Sequence, residues 1–435
     1  MIERDQARKF LDDIEKLWDV LLPKSVAGPA RNWMKSKIMG EAIDELRRLV
    51  LESRPPVIFL LGRSGHGKSS LINALCGKTV AEVGDVKPQT PRSDPYHVLF
   101  NDGKSSWDLV DSRGLFESTS PGGGPAEDVV ELTIRAVIEH KPDVIMHVIS
   151  MPEVRNLSND LRAFERIMAR ATSEAAHRIP TFMVLTKADT LGNPREWPPE
   201  TSPKKAGVII EAIRYAAGDV LGVDVEQSKS LNPDTPLYGY RLLQHPHCKA
   251  VIPVCALAET SEQWNIGELQ EFIGLELPEE SQLHYYQALG RKDLLRKVAS
   301  RLTRRFAEIA AGVGASPLPI ADVLVLSPLQ LLLVVMIGGL SCRPVARSTF
   351  YEYLGAIGGV GAAGLGLRLA AQQLVKLIPI PFLAQGVSGA IAGGGTFAIG
   401  RSAEAYFFSG EVKPPKAFPS DPSVWAEDET NSADQ

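Results

Sequence analysis

Residues 57–75 read Val57-Ile58-Phe59-Leu60-Leu61-Gly62-Arg63-Ser64-Gly65-His66-Gly67-Lys68-Ser69-Ser70-Leu71-Ile72-Asn73-Ala74-Leu75. Five apolar residues in a row predict a buried strand, and Ser70 to Leu75 is helix-compatible. Between them Gly62 to Ser69 satisfies G-x-x-x-x-G-K-[ST], in the strand–loop–helix context that the motif requires. The glycines let the backbone wrap a phosphate with its N–H groups pointing inward. The helix N-terminus adds partial positive charge. Gly62, Arg63, Ser64, Gly65, His66, Gly67, Lys68, Ser69 and Ser70 are therefore the candidate nucleotide-binding loop. Lys68 is expected to reach the β- and γ-phosphates as a catalytic group, and the Ser69 hydroxyl to ligate Mg²⁺.

Outward from this loop, residues 56–275 alternate short apolar runs with helical stretches. That pattern predicts an α/β fold with a mostly parallel sheet. Candidate strands are 57–61, 96–100, 107–111, 143–149, 181–185 and 250–254, and the Pro-rich stretch 188–204 reads as a loop. Three further signals fall at strand ends. Asp111-Ser-Arg-Gly114 closes 107–111, where the carboxylate of Asp111 can hold Mg²⁺ through water and Gly114 can offer its N–H to the γ-phosphate. Thr186-Lys187-Ala188-Asp189 follows 181–185. A carboxylate there can accept both N–H donors on one edge of guanine, an edge that adenine lacks, while the lysine stem covers the base. Val254-Cys255-Ala256-Leu257 ends the last strand, where a small residue lets a backbone N–H reach guanine O6. Each signal is weak alone, but their order makes GTP and GDP the expected ligands.

That order, with Lys68-Ser69-Ser70-Leu71-Ile72-Asn73-Ala74-Leu75, resembles the Era-like GTPases of the translation-factor class over about residues 56–275. The resemblance implies a first switch at Lys87-Pro88-Gln89-Thr90-Pro91-Arg92. Thr90 would then ligate Mg²⁺ and clamp the γ-phosphate as a second catalytic group. Three positions depart from the family's pattern. Thr186 stands where Asn is common. Leu115 follows Gly114 where a water-orienting Gln stands in Ras-type enzymes, so basal hydrolysis is expected to be slow. Gly65 stands where potassium-activated relatives carry Asn, so the resemblance does not extend to a potassium requirement.

Composition narrows the classes. With 47 basic and 52 acidic residues the net charge is −5, which points to no strong electrostatic partner for the whole chain, and DNA is not expected. Hydrophobic residues make up 44% and charged residues 23%, which excludes a wholly disordered chain. Four cysteines are too few for a disulfide framework in 435 residues. The N-terminal MIERDQARKF has no apolar h-region, so the expected compartment is the cytosol or a cytosol-facing membrane surface. His245-Pro246-His247-Cys248 lacks a second ligand pair and reads as a loop.

The expected organisation has four parts: an N-terminal helical segment over 1–54, a GTP-binding domain over 55–278, a hydrophobic helical domain over 279–410 and a disordered acidic tail over 411–435. Residues 281–312 read as one long basic helix, with seven Lys/Arg and one acid from Arg291 to Arg305. Residues 318–340 carry one charge, Asp322, and 377–400 carry none. Both are long enough to cross a bilayer, although Pro328 is expected to interrupt the first and Pro379 and Pro381 enter the second. The region resembles the hydrophobic helical domain that follows some bacterial Era-like GTPase domains. It fits membrane insertion, the leading expectation, or a soluble helical bundle. The functional expectation is a GTP-hydrolysing molecular switch at a membrane, with a protein effector or activating partner. The alternatives are a soluble ribosome- or RNA-associated assembly factor, less expected because the C-terminal half is apolar rather than basic, and a dynamin-like remodeller.

Overall fold

The computed structural model describes residues 52–80, 95–100, 105–111, 126–156, 158–175, 178–257, 263–314, 321–358 and 389–419, with four isolated positions before them. The N-terminal segment, the first switch with Thr90, the Gly114–Leu115 stretch and the acidic residues beyond 419 lie outside the described residues. Two units, one within Arg54–Leu289 and one within Gly290–Gln435, are separate.

In the first unit the strands are β1 (Val57–Leu61), β2 (Pro95–Phe100), β3 (Ser105–Asp111), β4 (Val144–Ser150), β5 (Thr181–Thr186), β6 (Lys229–Asn232), β7 (Thr235–Arg241) and β8 (Cys248–Pro253). They form one sheet in the order β2-β3-β1-β4-β5-β8-β7-β6. β3, β1, β4, β5 and β8 run parallel, and β2, β7 and β6 add antiparallel edges. The mostly parallel α/β architecture and all six expected strands are present, with ends shifted by two residues at most. The helices are α1 (Lys68–Cys76), α2 (Ala126–His140), α3 (Ser158–Ala175), α4 (Pro203–Tyr215), α5 (Ile266–Glu276) and α6 (Glu279–Leu289). β1 and β4 read as continuous apolar runs because crossover helices cover a parallel sheet on both faces. Phe59, Leu61 and Ile145 pack with Ile134, Val137, Phe164 and Ile167 of α2 and α3. A second core joins Ile149, Met183 and Leu185 to Ile209 and Ile213 of α4.

The β6–β7 hairpin was not anticipated. Its turn is local: the Asn232 side chain accepts the Asp234 N–H at 2.9 Å, an Asx turn. The Asn-Pro-Asp run between two strand-like segments was the legible signal.

The basic stretch expected as one helix over 281–312 is two helices. α6 stops at Leu289, Gly290 takes φ 64°, and α7 (Lys292–Gly314) starts afresh. A left-handed residue ends a helix, and glycine adopts that conformation without a Cβ penalty. α6 packs on the sheet, where Tyr285 stacks on Trp107 of β3 with ring centroids 4.8 Å apart. Asp143 fastens its start. Its carboxylate accepts two bonds from Arg54 at 2.7 Å, the Val57 N–H at 2.9 Å and the Ser281 hydroxyl at 3.2 Å.

The second unit contains α7, α8 (Ala321–Leu340), α9 (Arg347–Gly358) and α10 (Gly389–Ser409). α8 runs through Pro328 rather than breaking there. One lost backbone bond is outweighed by packing, since residues 332–340 are buried. α7 and α10 approach closely at Gly400, where a Cβ would meet the Thr303 side chain at 2.4 Å. Beside it Glu404, fully buried, accepts bonds from Ser300 and Thr303 at 2.8 Å and from Arg401 at 2.8 Å. A buried carboxylate needs such partners. Among the described residues no helix is long and apolar enough to cross a membrane. The tail expected to be disordered from 411 is described as far as residue 419, with a short 3₁₀ turn at Pro415–Ala417.

Candidate functional site

The phosphate loop joins the C-terminal end of β1 to α1. Gly67 caps the helix in the left-handed region at φ 85°, so the chain turns into the helix with Ser69 and Ser70 in its first turn. Gly62 is required sterically: a Cβ there would meet the Val148 carbonyl oxygen of β4 at 2.2 Å. Lys68 is buried, and its ammonium donates to the carbonyls of Gly62 at 2.7 Å and Arg63 at 3.0 Å. It therefore spans the loop it belongs to.

His66, placed by sequence in the nucleotide-binding loop as one of its variable positions, is a buried strut of that loop. One ring nitrogen lies 3.2 Å from the Val148 carbonyl and the other 3.1 Å from the Glu153 carboxylate. Below it His147 is fully enclosed and stacks on Phe164 at 4.6 Å. Burial, with a smaller contribution from His66, pulls its pKa down to about 3, so it is neutral at physiological pH. Nothing in the sequence distinguished either role.

Asp111 ends β3 and is 2% exposed. The parallel register sets it opposite Leu60, two residues before Gly62. Its carboxylate and the Ser69 hydroxyl are hard oxygen donors from adjacent elements. That donor set fits Mg²⁺, which takes one or two protein oxygens plus phosphate and water rather than a full protein cage. Among the described residues no cluster of three or more His, Cys, Asp or Glu could hold a metal, and the His245–Cys248 stretch forms a turn instead. There the His245 ring accepts the Cys248 N–H at 2.8 Å.

The residues expected to read the base lie at the ends of β5 and β8. Thr186 is buried, with its hydroxyl 2.5 Å from the His66 carbonyl and 3.2 Å from that of Ile149. It thus ties the start of this segment to the phosphate loop. Lys187 adopts φ 59°, a conformation uncommon for a residue with a Cβ. It turns the chain into a short 3₁₀ segment carrying Asp189. The Ala188 N–H donates to the Val254 carbonyl at 3.3 Å, and the Thr190 hydroxyl to the Lys187 carbonyl at 2.8 Å. Across from it the Cys255 thiol donates to Asp189 Oδ1 at 3.3 Å. Burial pushes that thiol up to about 11, so it stays protonated and serves as a donor. Cys255 also exchanges two backbone bonds of 3.0 Å with Trp264, and Ala256 beside it is buried.

A mostly parallel sheet with a phosphate loop after β1, an aspartate closing β3 and a carboxylate after β5 is the arrangement of a P-loop GTPase domain, and this chain carries one. Residues 57–187 match the family described as 50S ribosome-binding GTPase. GTPase Der from Prochlorococcus marinus (strain MIT 9211) is 31% identical over 117 residues, covering 25% of this chain and 25% of the relative. Translation initiation factor IF-2 from Rhodospirillum rubrum is 27% identical over 202 residues, covering 45% of this chain and 19% of that protein. The chain thus spans a quarter or less of the length of these two relatives. Among solved structures, Aquifex aeolicus Era bound to GDP and AlF4⁻ aligns with a TM-score of 0.31 at 19% identity, over 58% of this chain and 67% of the other.

Proposed function

We propose that the protein binds GTP and GDP, hydrolyses GTP to GDP and phosphate, and works as a molecular switch. The observation that carries this reading is the convergence of Lys68, Ser69 and Asp111 at one end of the parallel sheet, with Asp189 and Cys255 at the same strand ends. Lys68 and the loop N–H groups hold the β- and γ-phosphates in line for attack by water. Ser69, Asp111 and, by the resemblance, Thr90 would hold Mg²⁺, which supplies charge neutralisation at the phosphates when bound. Leu115 has no group that can orient water. Turnover by the purified chain is therefore expected to be slow, roughly the 10⁻⁴–10⁻² s⁻¹ of switches lacking an activating partner. Calorimetry with GTP and ATP, and phosphate release with no partner present, test both halves. Equal affinity for ATP overturns guanine selectivity, and rapid turnover overturns the need for a partner.

The output is proposed to pass through the helical unit at the cytosolic face of a membrane. Lys292, Lys297, Arg301 and Arg305 are exposed along α7, while Leu294, Leu295, Leu302 and Phe306 are buried. Such a cationic row suits an anionic leaflet, at about 1 kcal/mol per basic residue. The soluble assembly-factor reading has one observation in its favour, the burial of residues 332–340 among neighbouring helices. Cell fractionation at low ionic strength separates the two. The full chain is expected in the membrane pellet, and recovery only in the soluble fraction decides for the assembly factor.

A further inference from the structure

We propose that Lys205 is the positioning residue for base recognition: from α4 it holds the loop that carries Asp189 and thereby sets the preference for the guanine edge. The inference rests on the guanine-binding reading above and adds to it a residue outside the nucleotide motifs. Lys205 is 1% exposed, and among the described residues no carboxylate pairs with it. Its ammonium donates instead to two backbone carbonyls, Asp189 at 2.7 Å and Leu191 at 2.5 Å. A buried ammonium with no carboxylate in direct contact is costly, and burial pulls this one below its ordinary pKa against the opposing field of the Asp189 and Glu196 carboxylates. What the cation gains is the loop, since both its oxygen partners lie within three residues of chain.

The geometry around it is closed. The Trp197 ring lies 5.7 Å from the ammonium. Trp197 in turn meets Trp264 edge-on at 5.6 Å. Trp264 donates its indole N–H to Glu200 at 2.6 Å and holds the Cys255 strand through its backbone. Ser202 caps α4 by accepting the Lys205 N–H at 3.3 Å, which fixes the base of the lysine stem. One aromatic-lined cluster therefore backs both arms of the base pocket, and Lys205 is its only direct bond to the Asp189 carbonyl among the described residues. With that carbonyl held, the direction in which the Asp189 side chain leaves the backbone is held as well.

Two parallel N–H···O bonds to guanine require the carboxylate to lie in the plane of the base. A single bond tolerates a wide range of angles. Loosening the loop should therefore remove the advantage of the second bond before it removes binding. Inosine diphosphate, which lacks the exocyclic amino group, offers the single N–H and is the diagnostic ligand.

The experiment measures GDP, IDP and ADP affinities for the full-length wild type, Lys205→Met and Lys205→Arg by calorimetry, with thermal melting alongside. The wild type is expected to favour GDP over IDP by roughly tenfold or more, the worth of one bond to a charged acceptor. Lys205→Met should bring that ratio down by about tenfold, towards unity, while Lys205→Arg, which keeps charged donors, restores much of it. A merely structural role would lower the melting temperature and both affinities together. An unchanged GDP-to-IDP ratio in a folded Lys205→Met overturns the proposal. If Lys205→Met does not fold, Lys205→Gln, with a neutral and slightly shorter donor, is read in the same ratio and an unchanged value overturns it equally. A wild type that binds ADP as well as GDP instead defeats the guanine reading, a failure visible before any variant is measured.

Discussion

Lys68→Ala is expected to weaken GTP binding on the order of a thousandfold, because the charged contacts to two phosphates vanish together. The same ammonium also bonds the carbonyls of Gly62 and Arg63, so the variant loses a brace of the loop as well as a ligand contact. The loop lies at the end of the sheet rather than in either apolar core, and the fold should survive. Isothermal titration with Mg²⁺–GTP gives the affinity, and far-ultraviolet circular dichroism gives the fold. Loss of the folded signal would assign Lys68 a structural role. Near-normal affinity in a folded variant would remove it from the phosphate site.

Asp189→Asn should change the identity of the ligand rather than merely its affinity. A carboxylate accepts two N–H donors from guanine, and an amide accepts one and donates one. Xanthine carries a carbonyl where guanine carries its amino group, so the amide fits it. GDP should weaken by roughly a hundredfold to ten-thousandfold, two bonds to a charged acceptor being at stake, while xanthosine diphosphate gains. The Cys255 thiol, 3.3 Å from Asp189 Oδ1, is held protonated by burial. It can donate to the amide oxygen of the variant and keep its nitrogen facing the base. Competition between GDP and XDP measures the exchange. A variant that still prefers GDP would show that Asp189 does not read the base, and would leave Lys205 nothing to position.

The phosphate loop, the six strands around it and the order of the strand-end motifs were legible because they are local. A run such as Val57–Leu61 reads as a buried strand on its own, and Gly62 to Ser69 carry the phosphate-loop pattern within eight residues. The same locality accounts for the limits. Gly290 splits a continuous basic pattern because a single backbone angle ends a helix, and periodicity averages over one residue. Pro328 stays inside α8 because burial of the following turns decides between a break and a helix, and burial is a property of neighbours. The roles of His66, His147 and Lys205 were invisible for a related reason. Each is an ordinary polar residue whose meaning comes from partners far along the chain: Glu153, 87 residues on, for His66, and the Asp189 carbonyl, 16 residues back, for Lys205. A phosphate loop opening a parallel sheet, and a carboxylate after the fifth strand, are written in local stretches of chain. What holds that carboxylate in place is a matter of tertiary contacts, because hydrogen bonds between distant elements form only after the sheet has brought its strand ends together.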